Sequence, residues 1–267
     1  EESIMQIHTH TFPGGAQLIG YLRDMTVEMP AFNTRPAILI LPGGGYAWCS
    51  RREADPVAMQ FLQAGYNVFT LYYTCRSDET VPALRWQPLI DAAGAILHIR
   101  RNAEQFGTDP AKIAICGFSA GGHLALSAAV LDIPGETAQQ RPNAVILGYP
   151  VVTAGEFAHR GSFVQLAGSE DAAAQQVFTL EDQVNSDTPP VFVWHTMEDK
   201  TVPVENTLLL LAALRRAGVP CEAHLFEKGA HGTSISTAEV DAADPHRAHW
   251  VALCLEWLGE TFGFKLS

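Results

Sequence analysis

Short runs of apolar, mostly β-branched residues alternate along this chain with longer amphipathic stretches, and that rhythm restricts the fold more than any other feature. Ala37–Leu41 (AILIL) is a continuous apolar run of strand length, and Asn67–Tyr73, Lys112–Gly117, Ala144–Gly148, Val191–His195 and Cys221–Glu227 also read as strands. Ala16–Leu22 reads as a further, early strand placed after Pro13-Gly14-Gly15, a turn signal. Helices fill the intervals. Asp55–Gln63 has Pro56 in its first turn and Gly65 just past its end; Leu84–Phe106 is stopped near Gly107; Ala120–Leu131 follows Ser119. Pro203–Ala217 is opened by proline and closed by Gly218, and Arg247–Phe262 is the last helix. Strands separated by helices of this length pair in parallel through crossovers, and continuously apolar strands must be covered on both faces. The expected class is α/β, with a mostly parallel central sheet and helices on both faces.

A chain of 267 residues suits one such domain, since α/β folds often reach this length without dividing. No internal repeat and no linker of biased composition interrupts it. The least regular stretch, Ala154–Thr188, is the candidate for a small cap over a site.

The chemistry concentrates in Gly117-Phe118-Ser119-Ala120-Gly121, a G-x-S-x-G pentapeptide between an expected strand and an expected helix. A serine on such a turn is forced into a strained conformation that exposes its hydroxyl above the sheet, and a Cβ at either flanking glycine would collide with the turn. The following helix points its N-terminus at the same place, which favours a developing oxyanion. A hydroxyl needs a base near neutral pH. Of ten histidines, His231 sits in Lys228-Gly229-Ala230-His231-Gly232, directly after the last expected strand, where this order of elements places the base. His195 ends an apolar strand and His123 lies within the helix after the turn; packing or local hydrogen bonding accounts for both. The acid that orients the imidazole belongs on the loop after Val191–His195, where Asp199 stands, with Glu198 beside it as the alternative. Two βα units fit between Ser119 and Asp199 and one more between Asp199 and His231.

Acyl transfer also needs backbone donors for the oxyanion. Pro42-Gly43-Gly44-Gly45-Tyr46 follows the Ala37–Leu41 strand, where lipases and esterases carry an HGGG-type loop, and the Ala120 amide follows the nucleophile. Tyr46, Trp48 and Trp86 are candidates to line an acyl or sugar pocket, with ordinary packing as the competing reading. Arg52-Glu53 either pairs near the site or caps the next helix. His246 and His249, with Asp241 and Asp244 before them, have a spacing compatible with a metal, but HxxH alone is common; no metal and no organic cofactor is expected.

Together Leu41-Pro42-Gly43-Gly44-Gly45-Tyr46, Arg52-Glu53, Gly117-Phe118-Ser119-Ala120-Gly121-Gly122-His123-Leu124 and the glycine loop of His231 resemble the bacterial α/β-hydrolases of the acetylesterase and acetyl-xylan-esterase-like group, some of which bear a xylanase label. The resemblance runs from about Ala16 to Phe262. It implies the α/β-hydrolase fold, Ser119, Asp199 and His231 as a triad, and the amides of Gly44, Gly45 and Ala120 as oxyanion hole. Pro42 departs from the histidine of the wider HGGG esterases, which bears on loop geometry more than on chemistry. No paired carboxylates of a glycosidase are visible, so the xylanase label carries little.

The charge balance sets partners. Lys and Arg number 17 against 29 Asp and Glu, a net charge of −12 without a basic run, which argues against nucleic acid and anionic membrane as partners. A small neutral ester fits better, and a homo-oligomer stays open. No segment approaches ~18 consecutive apolar residues, and no basic-then-apolar signal opens the sequence, so cytoplasmic location is the default. The five cysteines (Cys49, Cys75, Cys116, Cys221, Cys254) are odd in number and lack CxxC spacing, with Cys116 reading as core. The expected activity is hydrolysis of small acyl esters, with acetylated sugars as the candidate substrates. The alternatives are a serine peptidase of the prolyl-oligopeptidase type and a non-catalytic binding protein on the same scaffold.

Overall fold

The computed structural model describes residues 5–132 and 140–266. Its eight strands are β1 (Met5–Thr11), β2 (Gln17–Arg23), β3 (Arg35–Leu41), β4 (Asn67–Tyr72), β5 (Thr108–Phe118), β6 (Ala144–Gly148), β7 (Val191–Thr196) and β8 (Cys221–Phe226). They form one sheet in the order β1-β2-β4-β3-β5-β6-β7-β8. The β1–β2 and β2–β4 pairs are antiparallel and every other pair is parallel.

Strand parity divides the core in two. In β3, Ala37, Leu39 and Leu41 face one layer while Ile38 and Ile40 face the other, all at 0% exposure. In β7, Val191 and Val193 take the first face, Phe192 and Trp194 the second. The first face is covered by α2 (Gln87–Arg101), α3 (Ala120–Val130), α4 (Arg160–Ala167) and α6 (Glu205–Ala217). The second is covered by α1 (Asp55–Gln63) and α8 (Trp250–Phe262). Two short helices, α5 (Ala172–Gln176) and α7 (Pro245–Ala248), complete the set. Trp250 stacks on Trp194 at 5.2 Å and pins α8; fully burying such a side chain contributes about 2–3 kcal/mol.

Three expectations needed correction. The leading strand β1 was not foreseen: it pairs with β2 across the Pro13-Gly14-Gly15 turn as an exposed edge. The helix expected over 84–106 starts at Gln87, because Arg85 takes φ +52 and the Leu84 and Arg85 amides bond to Gln165 and Leu166 of α4. It ends at Arg101, and irregular turns lead to Gly107 at φ +57. The final helix is divided at His249, with Asp244 capping α7 through the His246 and Arg247 amides.

All parallel strands deliver their C-terminal ends to one edge of the sheet, where open α/β sheets bind ligands. The glycine loop follows β3, Ser119 follows β5, Asp199 follows β7 and His231 follows β8. Four segments distant in sequence therefore meet there.

Candidate active site

Ser119 sits between the last residue of β5 and the first of α3 with φ +53 and ψ −120. Its amide donates to Gly148 O at 3.0 Å, and its carbonyl accepts from His123 and Val151 at 3.1 Å each, so the strained turn is held from three sides. The flanking glycines are steric necessities. A Cβ on Gly117 would stand 2.1 Å from Gly121 O, and one on Gly121 would stand 2.1 Å from Leu41 O.

His231 reaches Ser119 Oγ with Nε2 at 2.8 Å and Asp199 Oδ2 with Nδ1 at 2.6 Å. Asp199 Oδ1 accepts from the Thr201 and Val202 amides at 2.9 Å each. Burial alone would push the Asp199 carboxyl up. The hydrogen bonds from His195 and His231, the His231 charge and the Val202 amide outweigh it and hold the group well below the usual carboxylate range. Glu198, the alternative acid, is exposed and accepts only from the Gly229 amide at 3.3 Å. His195, the alternative base, is fully buried behind Asp199. Its Nε2 faces two acceptors, Asp199 Oδ2 at 3.2 Å and Val202 O at 3.0 Å, and so carries the hydrogen, while Nδ1 meets Thr207 Oγ1 at 2.8 Å.

The glycine loop crosses over Ser119. Gly43 O accepts from Ser50, and Gly44 O accepts from Ala47 and Trp48. Tyr73 donates its hydroxyl to Pro42 O at 2.6 Å, which ties down a loop whose first residue is proline. The amides of Gly44, Gly45 and Ala120 donate to no protein acceptor among the described residues. Backbone donors left free beside a nucleophile form a ready receptor for negative charge.

The fold as a whole has counterparts among solved structures. An α/β-hydrolase enzyme from a Medee basin deep-sea metagenome is 36% identical, with a TM-score of 0.81 over 97% of this chain and 99% of that one. The chain belongs to the α/β-hydrolases. Within them, residues 95–264 match the prolyl oligopeptidase family and residues 24–150 the family described as BD-FAE. An acetyl ester-xyloside bifunctional hydrolase from Caldicellulosiruptor lactoaceticus is 33% identical, with a TM-score of 0.80 over 95% of this chain and 90% of that one. Endo-1,4-beta-xylanase B of Butyrivibrio fibrisolvens is 40% identical over 235 residues, 83% of this chain but 35% of that protein. The other curated relatives likewise extend beyond this hydrolase, which spans at most 62% of their lengths.

The hydrolase's cavity over Ser119 has a volume of about 340 Å³. Gly44, Gly45 and Trp48 form one wall, and His159, the N-cap of α4, with Gly161 and Gln165 within that helix, form another. The 154–188 stretch thus contributes residues over the site. Trp48 lines the cavity and is 63% exposed. Tyr46 and Trp86 do not line it, contrary to expectation. Tyr46 takes φ +63, which turns its ring beneath the loop; it is 1% exposed and its hydroxyl donates to His123 Nδ1 at 2.7 Å. His123 passes the link on, donating from Nε2 to Phe178 O at 2.8 Å. Trp86 packs on Phe178 with ring centroids 4.8 Å apart, in a separate cleft with Leu89, Ile90 and Val177.

Sequence reasoning missed His159 and Gln165. The signal available for His159 was a His-x-x-Ser spacing: its Nδ1 meets Ser162 Oγ at 2.9 Å where α4 begins. Glu53, left open between two roles, lines the cavity and caps no helix. His246 and His249 stand with ring centroids 6.3 Å apart, and Asp244 pairs with Arg247 at 3.0 Å instead. Among the described residues no three His, Cys, Asp or Glu side chains gather as a metal site, and no helix is long and apolar enough to cross a membrane.

Proposed function

We propose that this hydrolase is a serine carboxylesterase that removes short acyl groups, acetyl foremost, from the hydroxyls of sugars. The observation that carries the proposal is Ser119 Oγ held 2.8 Å from His231 Nε2 on a strained turn, beside unengaged loop amides. Ser119 Oγ attacks the ester carbonyl as His231 takes its proton, and the oxyanion forms within reach of the Gly44, Gly45 and Ala120 amides. The tetrahedral adduct collapses, the C–O bond to the alcohol breaks, and His231 returns the proton to the leaving oxygen. Water, deprotonated by His231, then attacks the acyl-enzyme and regenerates Ser119. Asp199 holds the imidazole in the tautomer this sequence needs and stabilises its protonated form.

Two features favour a short acyl group and a sugar. At about 340 Å³ the cavity lies at the small end for ligand sites. Its outer walls offer an exposed indole face at Trp48 and the polar side chains of His159, Gln165 and Thr201, a combination suited to a sugar ring. The acetyl ester-xyloside hydrolase named above supports the same class. Glycoside cleavage requires two carboxyls flanking the scissile bond. Among the residues lining this cavity only Glu53 carries one, and both of its oxygens are engaged. The prolyl-oligopeptidase match favours a second reading, peptide hydrolysis, which the same assay separates.

Ser119→Ala should lower kcat at least ~10³-fold without unfolding the protein. With the wild type, kcat/KM across p-nitrophenyl esters should peak at acetyl or propionyl and decline from butyryl onward. A lipase pocket would gain ~0.8 kcal/mol per added methylene instead. A maximum at C8 or longer refutes the short-acyl reading, and faster turnover of peptidyl anilides than of acetyl esters refutes the esterase.

A further inference from the structure

The cavity wall holds one carboxyl that proton transfer to and from Ser119 does not use. Glu53 ends a single 3-10 turn, Arg51–Glu53, and is 3% exposed. Its Oε2 accepts from the Gly43 amide at 2.7 Å, at the root of the oxyanion loop. Its Oε1 accepts from the Tyr149 hydroxyl at 2.7 Å, and the Tyr149 oxygen accepts in turn from the Ser234 amide at 2.8 Å. Ser234 lies just beyond His231 on the base loop, and the Tyr149 ring stands edge-on to the His231 imidazole with centroids 4.9 Å apart. A second strut runs parallel: Ser234 Oγ donates to Arg52 O at 2.6 Å.

Every hydrogen in this chain points toward Glu53. Two donors arrive on its two oxygens, so only an acceptor at both positions satisfies them. A buried carboxylate is costly to keep, and an apolar residue in its place would leave the Gly43 and Tyr149 donors without an acceptor. Burial pushes the Glu53 carboxyl up, and the hydrogen bonds from Tyr149 and Gly43 pull against it. The groups facing it are Tyr149, Arg52, His231 and, across the sheet end, Tyr73 and Cys116.

We propose that Glu53 is a positioning residue that fixes the oxyanion loop relative to the base loop, bonding Gly43 directly and Ser234 through Tyr149. The proposal rests on the acyl-transfer reading of Ser119. Both loops act on the same tetrahedral adduct, one through amides that hold its oxyanion and one through His231, which moves the proton at Ser119 Oγ. A change in their separation therefore degrades the transition state more than substrate binding.

The test compares Glu53→Gln, Tyr149→Phe and the double variant on p-nitrophenyl acetate. Rates are counted per active site with a fluorophosphonate that labels Ser119. Glutamine puts its amide nitrogen against one of the two donors and breaks one link, while phenylalanine breaks the Tyr149 link alone. Each single variant should lose about 10–100-fold in kcat per labelled site, with KM within about threefold, since misplacement by ~1 Å costs on that order. The double variant should lose no more than the worse single one, because both changes cut the same chain. Inhibition by a trifluoromethyl ketone, which forms an oxyanion on Ser119, should weaken in parallel with kcat/KM.

Unchanged kcat per labelled site, a loss confined to KM, or losses that multiply in the double variant would overturn the proposal. Should Glu53→Gln fail to fold, Tyr149→Phe alone reads the same link by the same criteria. A wild type that the fluorophosphonate does not label overturns the acyl-transfer reading and this proposal with it. A labelled wild type beside an unaffected Glu53→Gln variant overturns only the role of Glu53.

Discussion

Replacing Gly44 by alanine should disable the oxyanion loop with little loss of fold, and the structure sets the scale. A Cβ on Gly44 would stand 2.1 Å from Trp48 O, where ordinary contact begins near 3.4 Å, so the loop must move by about an ångström. The obstacle is backbone, and Gly44 O itself holds the Trp48 amide at 3.3 Å, so the two sides of the turn cannot simply part. Gly44 also takes φ +129, a conformation that costs a side-chain-bearing residue about 1–3 kcal/mol. A donor placed ~2.9 Å from the oxyanion would retreat beyond ~3.6 Å, where no hydrogen bond remains. Loss of one such donor costs about 10²–10³ in kcat, or roughly 3–4 kcal/mol of transition-state stabilisation. Gly45→Ala is the internal control. Its Cβ would meet only His159 Cε1 at 3.8 Å, and φ +64 asks for about 1–2 kcal/mol, so the loss should stay within about tenfold. Turnover of p-nitrophenyl acetate, normalised by active-site labelling and accompanied by Tm, measures both. Equal losses in the two variants, or a folded Gly44→Ala protein with wild-type kcat, would refute the reasoning.

Asp199→Asn should lower kcat by about 10⁴, because the amide favours the wrong tautomer of His231, while the exposed Glu198→Gln should change it less than threefold; the reverse ranking would exchange their roles. Stability offers a separate check at His123, whose imidazole burial lowers from 6.5 to about 4. The unfolded chain binds the extra proton between those values, so this group stabilises the fold above about pH 6.5 and its contribution, about 3 kcal/mol, is lost as pH falls toward 4. Urea unfolding of wild type and His123→Gln should therefore show a gap that narrows on acidification. A gap independent of pH would mean that His123 does not titrate this way.

The parts of the fold legible in sequence are those whose burial repeats. β3, β6 and β7 are buried at every position because helices cover both their faces, and each carries a continuous apolar stretch (Ala37–Leu41, Ala144–Leu147, Val191–Trp194); α1 was bounded correctly by its proline and by Gly65. β1 offered no such pattern: MQIHTHT lies at the sheet edge, largely exposed, and is ordered by pairing with β2. Arg85 and the false start of α2 are set by contacts with α4, about eighty residues away, which no local window contains. The same limit divides the site. Ser119, Asp199 and His231 follow from element order, whereas Tyr46 and Trp86 were placed by nearness to the glycine loop or by being aromatic. Sequence distance does not say on which side of a loop a ring lies, and a positive φ at Tyr46 sends it underneath.

The helix that follows Ser119, α3, is buried at every one of its eleven residues, between the sheet and the surrounding helices. Nearly any substitution there disturbs packing. By contrast, α4 and its N-cap residue His159 present His159, Gly161 and Gln165 to the cavity. Selection acting on this gene thus meets two regions of unequal tolerance. One cannot drift without losing the reaction. The other can be rewritten at the positions that face the cavity while Phe163, Leu166 and Ala167 stay in the core, so that the pocket can change and the elbow remain.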